Sequence, residues 1–151
     1  MLDDLKLAAE GKHRESRMLF QAYATTLSAL VPANFLLVVG AALLSLVAGA
    51  TILIENCLMT KTQSGLMALI SGALTIIHSK LGCEQYQAEC KKLLSFYRGI
   101  AEDYRNLQFV ANTDEFRKRF FVLNDQLSAA AKNSSALPFD WAAEKAKNRA
   151  A

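Results

Sequence analysis

The sequence predicts an all-α membrane protein, a two-span transmembrane helical hairpin whose helices extend into a cytoplasmic helical bundle, with an additional C-terminal helix. Three observations predict it. No Asp, Glu, Lys, Arg or His occurs between Met18 and Ile54. A second, shorter apolar stretch follows a brief polar break. The polar C-terminal half then carries apolar residues at steps of three and four, which is typical of amphipathic helices.

The first span is predicted over about residues 30–54. About 20 apolar residues, rising ~1.5 Å each, cross the ~30 Å hydrocarbon core of a bilayer. Pro32 either kinks a continuous helix or begins a new one, and residues 1–30 before it have helical spacing of their apolar side chains. Small residues that recur every four positions predict a face for close helix packing: Ala41, Ser45 and Gly49.

The second span is predicted over about residues 63–81, after a tight turn. Its small and polar residues share one side of the helix, where they either pack against another helix or line water. Both alternatives need a partner helix, so a homo-oligomer is predicted. The packing candidates are Ala68 and Gly72, and the pore-lining candidates are Ser71, Thr75, His78 and Ser79. At the outer mouth we expect Glu55 and Lys61.

Positive residues predict the orientation. They are frequent before the first span and after the second, whereas the connecting loop has only Lys61. Both termini are therefore predicted to be cytoplasmic, in a multi-pass membrane protein whose connecting loop lies outside. The charged segment Lys12–Arg17 has two interpretations. It meets lipid headgroups or a partner, or it is a solvated helix face with pairs three and four residues apart.

An unbroken heptad series follows the second span and predicts a buried seam. The continuous helix that carries it is predicted from about Gly65 to Leu107, and its seam is expected to pack against the N-terminal helix and neighbouring subunits. Tyrosines in such a series are typical of a core. The members of the cytoplasmic seam are Tyr86, Cys90, Leu93, Tyr97, Ile100, Tyr104 and Leu107.

Residues 109–151 are predicted to form a C-terminal helical extension to the hairpin of residues 1–108. Asn112 or Thr113 can cap its first helix, whose apolar residues again step by four and three. They are Phe116, Phe120, Leu123 and Leu127. The end of the chain either docks through Phe139 and Trp141 or is mobile.

The sequence contains no recognisable catalytic motif, so we predict that the protein is not an enzyme and uses no cofactor. A net charge of +3 is too small to indicate nucleic acid as a direct partner. The three cysteines, Cys57, Cys83 and Cys90, are too few for a disulfide framework. Cys83 and Cys90 lie seven residues apart on one helix face, which favours a buried or interface thiol pair over a metal site.

The complete layout resembles the SLATT family, the SMODS- and SLOG-associating two-transmembrane effector domains of bacteria. The resemblance covers roughly residues 8–107. It depends on the architecture, on the Lys12–Arg17 cluster, and on the segment Cys90-Lys-Lys-Leu-Leu-Ser-Phe-Tyr97-Arg. It implies a membrane effector that perforates the inner membrane when a sensor is activated, often a sensor that makes or binds a nucleotide second messenger. We recognise no sensor domain in these 151 residues, so the resemblance implies a separate sensor protein or its nucleotide product as the partner.

Three hypotheses follow. The first is a homo-oligomeric effector that forms a pore or perturbs the inner membrane in a prokaryotic anti-phage conflict system, with the lipid bilayer and other copies of itself as partners. The second is a non-enzymatic membrane anchor whose cytoplasmic helices tether a soluble partner. The third is a soluble helical bundle whose apolar helices are hidden in a large oligomer.

Overall fold

The computed structural model describes residues 2–53, 60–80 and 82–150. Over these residues the chain is all-helical, which confirms the predicted helical class. The helices are α1 (Leu2–Leu53), α2 (Lys61–Lys80), α3 (Cys83–Leu107), α4 (Thr113–Asn133) and α5 (Asp140–Ala150). The predicted turn around residues 55–60 lies mostly outside the described residues.

Helix α1 is one continuous helix of 52 residues with Pro32 inside it. Asp3 and Asp4 occupy its first turn, where negative charge interacts favourably with the partial positive charge of a helix N-terminus. Because proline lacks an N–H, Pro32 cannot donate a hydrogen bond to the carbonyl four residues earlier. Of the two alternatives for Pro32, the structure therefore has the continuous helix.

The prediction of one helix from Gly65 to Leu107 was wrong. Helix α2 ends at Lys80 and α3 begins at Cys83. Gly82 between them has a φ of 57°, a left-handed conformation that glycine adopts without the steric cost of a Cβ and that commonly ends helices. The Gly82 carbonyl then accepts a hydrogen bond of 3.0 Å from the N–H of Tyr86, in the first turn of α3.

The chain divides into two compact units. The bundle unit comprises Met1–Ser28 and Ala88–Ala151, and the hairpin unit comprises Ala29–Gln87. The predicted boundary at residue 108 lies inside the bundle unit.

The core of the bundle unit is built on the heptad face of α3. All members of the predicted cytoplasmic seam except Tyr86 are buried. Tyr97 stacks on Tyr23 of α1 with ring centroids 5.6 Å apart, and Tyr104 meets Phe120 of α4 edge-to-face at 6.1 Å. The apolar face of α4 is buried in the same core, through Phe116, Phe120, Leu123 and Leu127.

Asn112 caps α4. Its side-chain oxygen accepts hydrogen bonds from the N–H groups of Asp114 and Glu115, at 2.9 and 3.2 Å. Helix α5 packs through small residues, because Ala142 and Ala146 are buried whereas Trp141 is 49% exposed. The aromatic ring of Trp141 stacks on that of Phe139 instead. The backbone N–H of Phe139 donates to Thr26 Oγ1 at 3.0 Å, which ties the start of α5 to α1.

Two buried tyrosines of the bundle unit differ in whether the hydroxyl group has a hydrogen-bond partner. The hydroxyl of Tyr23 donates to the carbonyl of Ala136 at 2.9 Å. Among the described residues, the buried side-chain oxygens without a hydrogen-bond partner are Ser16 Oγ and Tyr104 Oη. A buried polar group without a partner costs about 1–3 kcal/mol.

We therefore expect Tyr23→Phe to lower the free energy of unfolding by about 1–3 kcal/mol, because the buried Ala136 carbonyl loses its donor. The same substitution at Tyr104 should leave stability unchanged or raise it, because it removes a hydroxyl that has no partner. The measurement is the thermal unfolding midpoint of the full-length variants in one detergent. Equal shifts in the two variants would contradict this assignment.

The pH dependence gives a further check on Tyr104. Burial, and secondly the negative charge of Glu15, raise the pKa of Tyr104 to about 12. In the unfolded chain this hydroxyl loses its proton at a pH near 10, whereas in the folded chain it keeps the proton up to about pH 12. Ionisation of Tyr104 therefore has no effect on the unfolding free energy below pH 10 and lowers it as the pH rises from 10 towards 12. The stability advantage of Tyr104→Phe over the wild type should therefore grow across that interval.

Candidate functional site

The hairpin unit contains the part of the chain with the strongest membrane signal. In α1, the most apolar 18-residue window within Asp3–Thr51 has a mean hydropathy of 2.3, and only 6% of it is buried. By length and composition this is the one described helix that can cross a membrane by itself. The residues Thr62–Ser79 pass the same test only when they are taken together with Cys83–Leu107.

Among the described residues, three side-chain hydrogen bonds join α1 and α2 inside this unit. Thr51 Oγ1 and Ser64 Oγ lie 2.6 Å apart, and Ser71 Oγ donates to the carbonyl of Ala41 at 2.7 Å. His78 Nε2 lies 2.6 Å from Asn34 Oδ1. The partners in α2 follow the order 64, 71 and 78, whereas their partners in α1 follow the order 51, 41 and 34. The two helices therefore pack antiparallel.

This contact surface, which we call the hairpin seam, is made of small and polar residues. Ala41, Ala48, Ser64 and Ser71 are buried in it. The partners from α2 recur every seven residues, at 64, 71 and 78, which is the heptad repeat of two helices packed side by side. Small side chains allow the backbones to approach closely, so a serine hydroxyl of one helix can reach a backbone carbonyl of the other.

The Asn34 amide connects the seam to a third helix. Its Oδ1 faces His78, and its Nδ2 donates to Gln87 Oε1 of α3 at 3.3 Å. Because the amide oxygen can only accept, His78 Nε2 must be the donor, and its proton is thereby assigned. Sequence reasoning missed Asn34, although an asparagine within an apolar stretch is a signal that a polar partner must be found.

The structure separates the four pore-lining candidates into two pairs. Ser71 and His78 point into the hairpin seam, where they bond to α1. Thr75 and Ser79 are exposed, and the Thr75 hydroxyl donates to the carbonyl of Ser71 in its own helix at 3.0 Å. Of the outer-mouth candidates, Glu55 lies outside the described residues, and so does the side chain of Lys61.

The packing candidates are also divided. Ala41 is buried in the hairpin seam, whereas Ser45, Gly49, Ala68 and Gly72 are exposed. A Cβ built on Gly49 or Gly72 would meet no atom of the described chain within 4 Å. On α2 the exposed small residues recur at steps of three and four, and we call them the small-residue face of α2: Gly65, Ala68, Gly72, Thr75 and Ser79.

The large apolar side chains of the hairpin unit lie outside the seam. Those more than half exposed are Phe35, Leu36, Leu43, Leu46, Leu66, Leu69 and Ile76. A soluble domain places such residues in its core and places serine and threonine at its surface. The hairpin unit has the reverse arrangement. Transmembrane helix pairs also expose large apolar side chains, because lipid solvates them. Their polar groups must find hydrogen-bond partners between the helices.

The hairpin seam predicts a position-specific effect of side-chain size. Ala41→Leu should lower the unfolding free energy by about 1–3 kcal/mol, because the larger side chain overpacks a contact surface of small residues. The neighbouring Ala42→Leu is the matched control, since Ala42 is exposed and the added atoms meet solvent or lipid. Thermal unfolding midpoints of both variants in detergent test this. A destabilised Ala42→Leu beside an unaffected Ala41→Leu would contradict the seam.

The described residues offer no metal centre, because no group of three His, Cys, Asp or Glu side chains converges among them. In the same part of the chain, Cys90 is buried and Cys83 is half-buried. No family model matches the chain, and no curated protein and no solved structure matches it significantly.

Proposed function

We propose that this protein is a homo-oligomeric, two-span effector of the inner membrane, with both termini in the cytoplasm, that forms a pore or perturbs the membrane in a prokaryotic anti-phage conflict system. A separate sensor protein, or its nucleotide product, would trigger it. The observation that carries the membrane part is the reversed polarity of the hairpin unit. The residues buried in its hairpin seam are small or polar, and its large apolar side chains are mostly exposed.

The low burial of α1 supports this proposal over a soluble core helix. A core helix of a soluble protein is mostly buried by its own chain, whereas the apolar window of α1 is 6% buried. Contiguous exposed apolar surface of this size indicates contact with a membrane or with other protein. Lipid can cover the exposed apolar side chains around the whole hairpin. In a soluble oligomer, other copies of the chain would have to cover all of these side chains.

The small-residue face of α2 supports self-association. Its members are all exposed in the single chain and follow a heptad spacing, so a second copy can approach closely along the length of α2. In a ring of copies, the hydroxyls of Thr75 and Ser79 would turn towards the central axis and interact with water. The anti-phage role and the sensor depend on the resemblance to the SLATT family.

The second candidate function is a membrane anchor that tethers a soluble partner. Exposed aromatic and aliphatic residues of the bundle unit favour it, because they offer apolar surface for a partner. They are Phe109 at 79%, Leu137 at 71%, Phe121 at 54% and Trp141 at 49% exposure.

The first experiment is to purify the full-length protein in detergent, measure the mass of the particle, and reconstitute the same sample into liposomes loaded with a fluorescent dye. We expect a discrete oligomer that releases dye. A discrete oligomer that retains the dye at every protein density would favour the anchor over the pore. Quantitative recovery of the protein without detergent would contradict both and favour the soluble oligomer.

A further inference from the structure

A cleft of about 610 Å³ lies between α1 and α3 within the bundle unit. Helix α1 contributes His13, Arg17 and Phe20, and α3 contributes Arg98, Glu102 and Arg105. We call it the arginine cleft. Three guanidinium groups and one imidazole face it, against a single carboxylate.

Arg17 differs from Lys12 and Arg14 of the same segment in its ion pairing. Lys12 pairs with Glu15 at 2.8 Å, and Arg14 pairs with Glu10 at 2.7 Å. These two contacts match the solvated-face interpretation of the segment. Among the described residues, neither Arg17 nor Arg98 has a carboxylate oxygen within 4.0 Å.

The only carboxylate of the cleft is already engaged. Glu102 pairs with Arg105 at 3.5 Å, and both side chains are more than half exposed. An exposed pair of this kind contributes little and exchanges readily for a stronger partner. The two unpaired guanidinium groups therefore give the cleft a positive potential that its own residues do not neutralise.

His13 adds a fixed nitrogen. Its Nδ1 lies 2.8 Å from the carbonyl oxygen of Ala101. Because a carbonyl oxygen only accepts hydrogen bonds, Nδ1 must carry the proton and donate it. This bond holds the His13 ring of α1 to the backbone of α3.

A second, adjoining cleft extends the positive surface. It measures about 310 Å³ and is lined by Arg14, Arg17 and Arg149 of α5, with Met18 and Gln21. Arg17 lines both clefts. The two clefts therefore share one arginine, and together they are lined by arginines of α1, α3 and α5.

We propose that the arginine cleft is a binding site for a phosphate-bearing anion, supplied by a soluble phosphate ester or by a phospholipid headgroup. The planar guanidinium group donates two parallel hydrogen bonds to phosphate oxygens, which makes arginine the preferred residue for such sites. In this site Arg17 of α1 and Arg98 of α3 donate hydrogen bonds to the phosphate. Phe20 offers an apolar surface to the organic part of the phosphate ester or lipid. This site belongs to the bundle unit. A soluble phosphate ester as its ligand does not depend on pore formation, whereas a phospholipid headgroup as its ligand rests on the proposed membrane association.

The test uses the full-length protein in nanodiscs of phosphatidylcholine, with inorganic pyrophosphate as the soluble probe in isothermal titration calorimetry. A second arm measures the thermal unfolding midpoint after phosphatidylglycerol is added to the nanodiscs. The variants are Arg17→Gln and Arg98→Gln. The charge-matched control is Arg119→Gln, because Arg119 lies on α4 and pairs with Glu115 outside the cleft.

We expect pyrophosphate to bind and its Kd to rise at least about tenfold in Arg17→Gln and in Arg98→Gln, with less than about a twofold change in Arg119→Gln. If pyrophosphate does not bind but phosphatidylglycerol raises the unfolding midpoint of the wild type and not of the two cleft variants, the anion is the lipid headgroup. Absence of both effects would overturn the proposal. Equal losses in all three variants would also overturn it, because they would indicate a general charge effect.

Discussion

Replacement of Leu43 and Leu46 by arginine should remove the protein from the carbonate-resistant membrane fraction. Both side chains are exposed, at 57% and 69%, in the most apolar part of α1. An arginine near the middle of a span costs about 2.5–3.5 kcal/mol on insertion scales, so the pair costs about 5–7 kcal/mol. That cost corresponds to a change of about 5,000-fold to 100,000-fold in the insertion equilibrium.

The matched control is the double variant Leu7→Arg and Leu137→Arg. These two leucines are more exposed than Leu43 and Leu46, at 72% and 71%, but they belong to the bundle unit. Substitutions of exposed side chains usually alter stability by about 0.5 kcal/mol or less, so we expect the control to stay in the membrane fraction. If the α1 variant stays there equally well, the exposed leucines of α1 do not face lipid.

The sequence predicts the helices of this protein well where periodicity alone decides. The heptad spacing from Cys90 to Leu107 and the similar spacing from Phe116 to Leu127 mark the faces that the structure buries. A helix has only one apolar face in such a pattern, and burial of that face contributes most of its stability. The spacing of apolar residues within each helix is therefore enough to predict which face of that helix is buried.

The break between α2 and α3 was missed because glycine has two opposite effects. Within a helix Gly82 costs only about 1 kcal/mol relative to alanine, so an isolated glycine does not by itself predict an end. At the end of a helix the same residue adopts a positive φ without strain. Which of the two applies depends on the packing of the flanking segments, which is not a local property of the sequence.

The polar residues of α2 show a second limit of periodicity. Spacing places Ser71, Thr75, His78 and Ser79 on one broad side of the helix, but it does not identify the neighbour that each of them meets. The structure resolves this with contacts from α1, since Ala41 accepts from Ser71 and Asn34 accepts from His78. The side of α2 thus has two parts, one bonded within the hairpin and one exposed.

This division makes Thr75 and Ser79 the residues for a test of the proposed pore. The double variant Thr75→Leu and Ser79→Leu should reduce dye leakage from liposomes at least about tenfold, with membrane insertion unchanged. Two leucines per subunit would replace the hydroxyls of a pore wall by an apolar constriction, which excludes water and blocks conduction. Ser71→Leu is a poor test, because it would overpack the hairpin seam.

The control exchanges the two hydroxyl residues, as Thr75→Ser and Ser79→Thr, and should leak like the wild type because each position keeps its hydroxyl group. Wild-type leakage in the leucine variant would exclude this face as the pore wall. A loss of both leakage and oligomer mass would mean that copies pack through the small-residue face of α2, since leucine prevents the close approach that Gly72 and its neighbours allow. The measured particle mass therefore separates a blocked pore from a failed assembly.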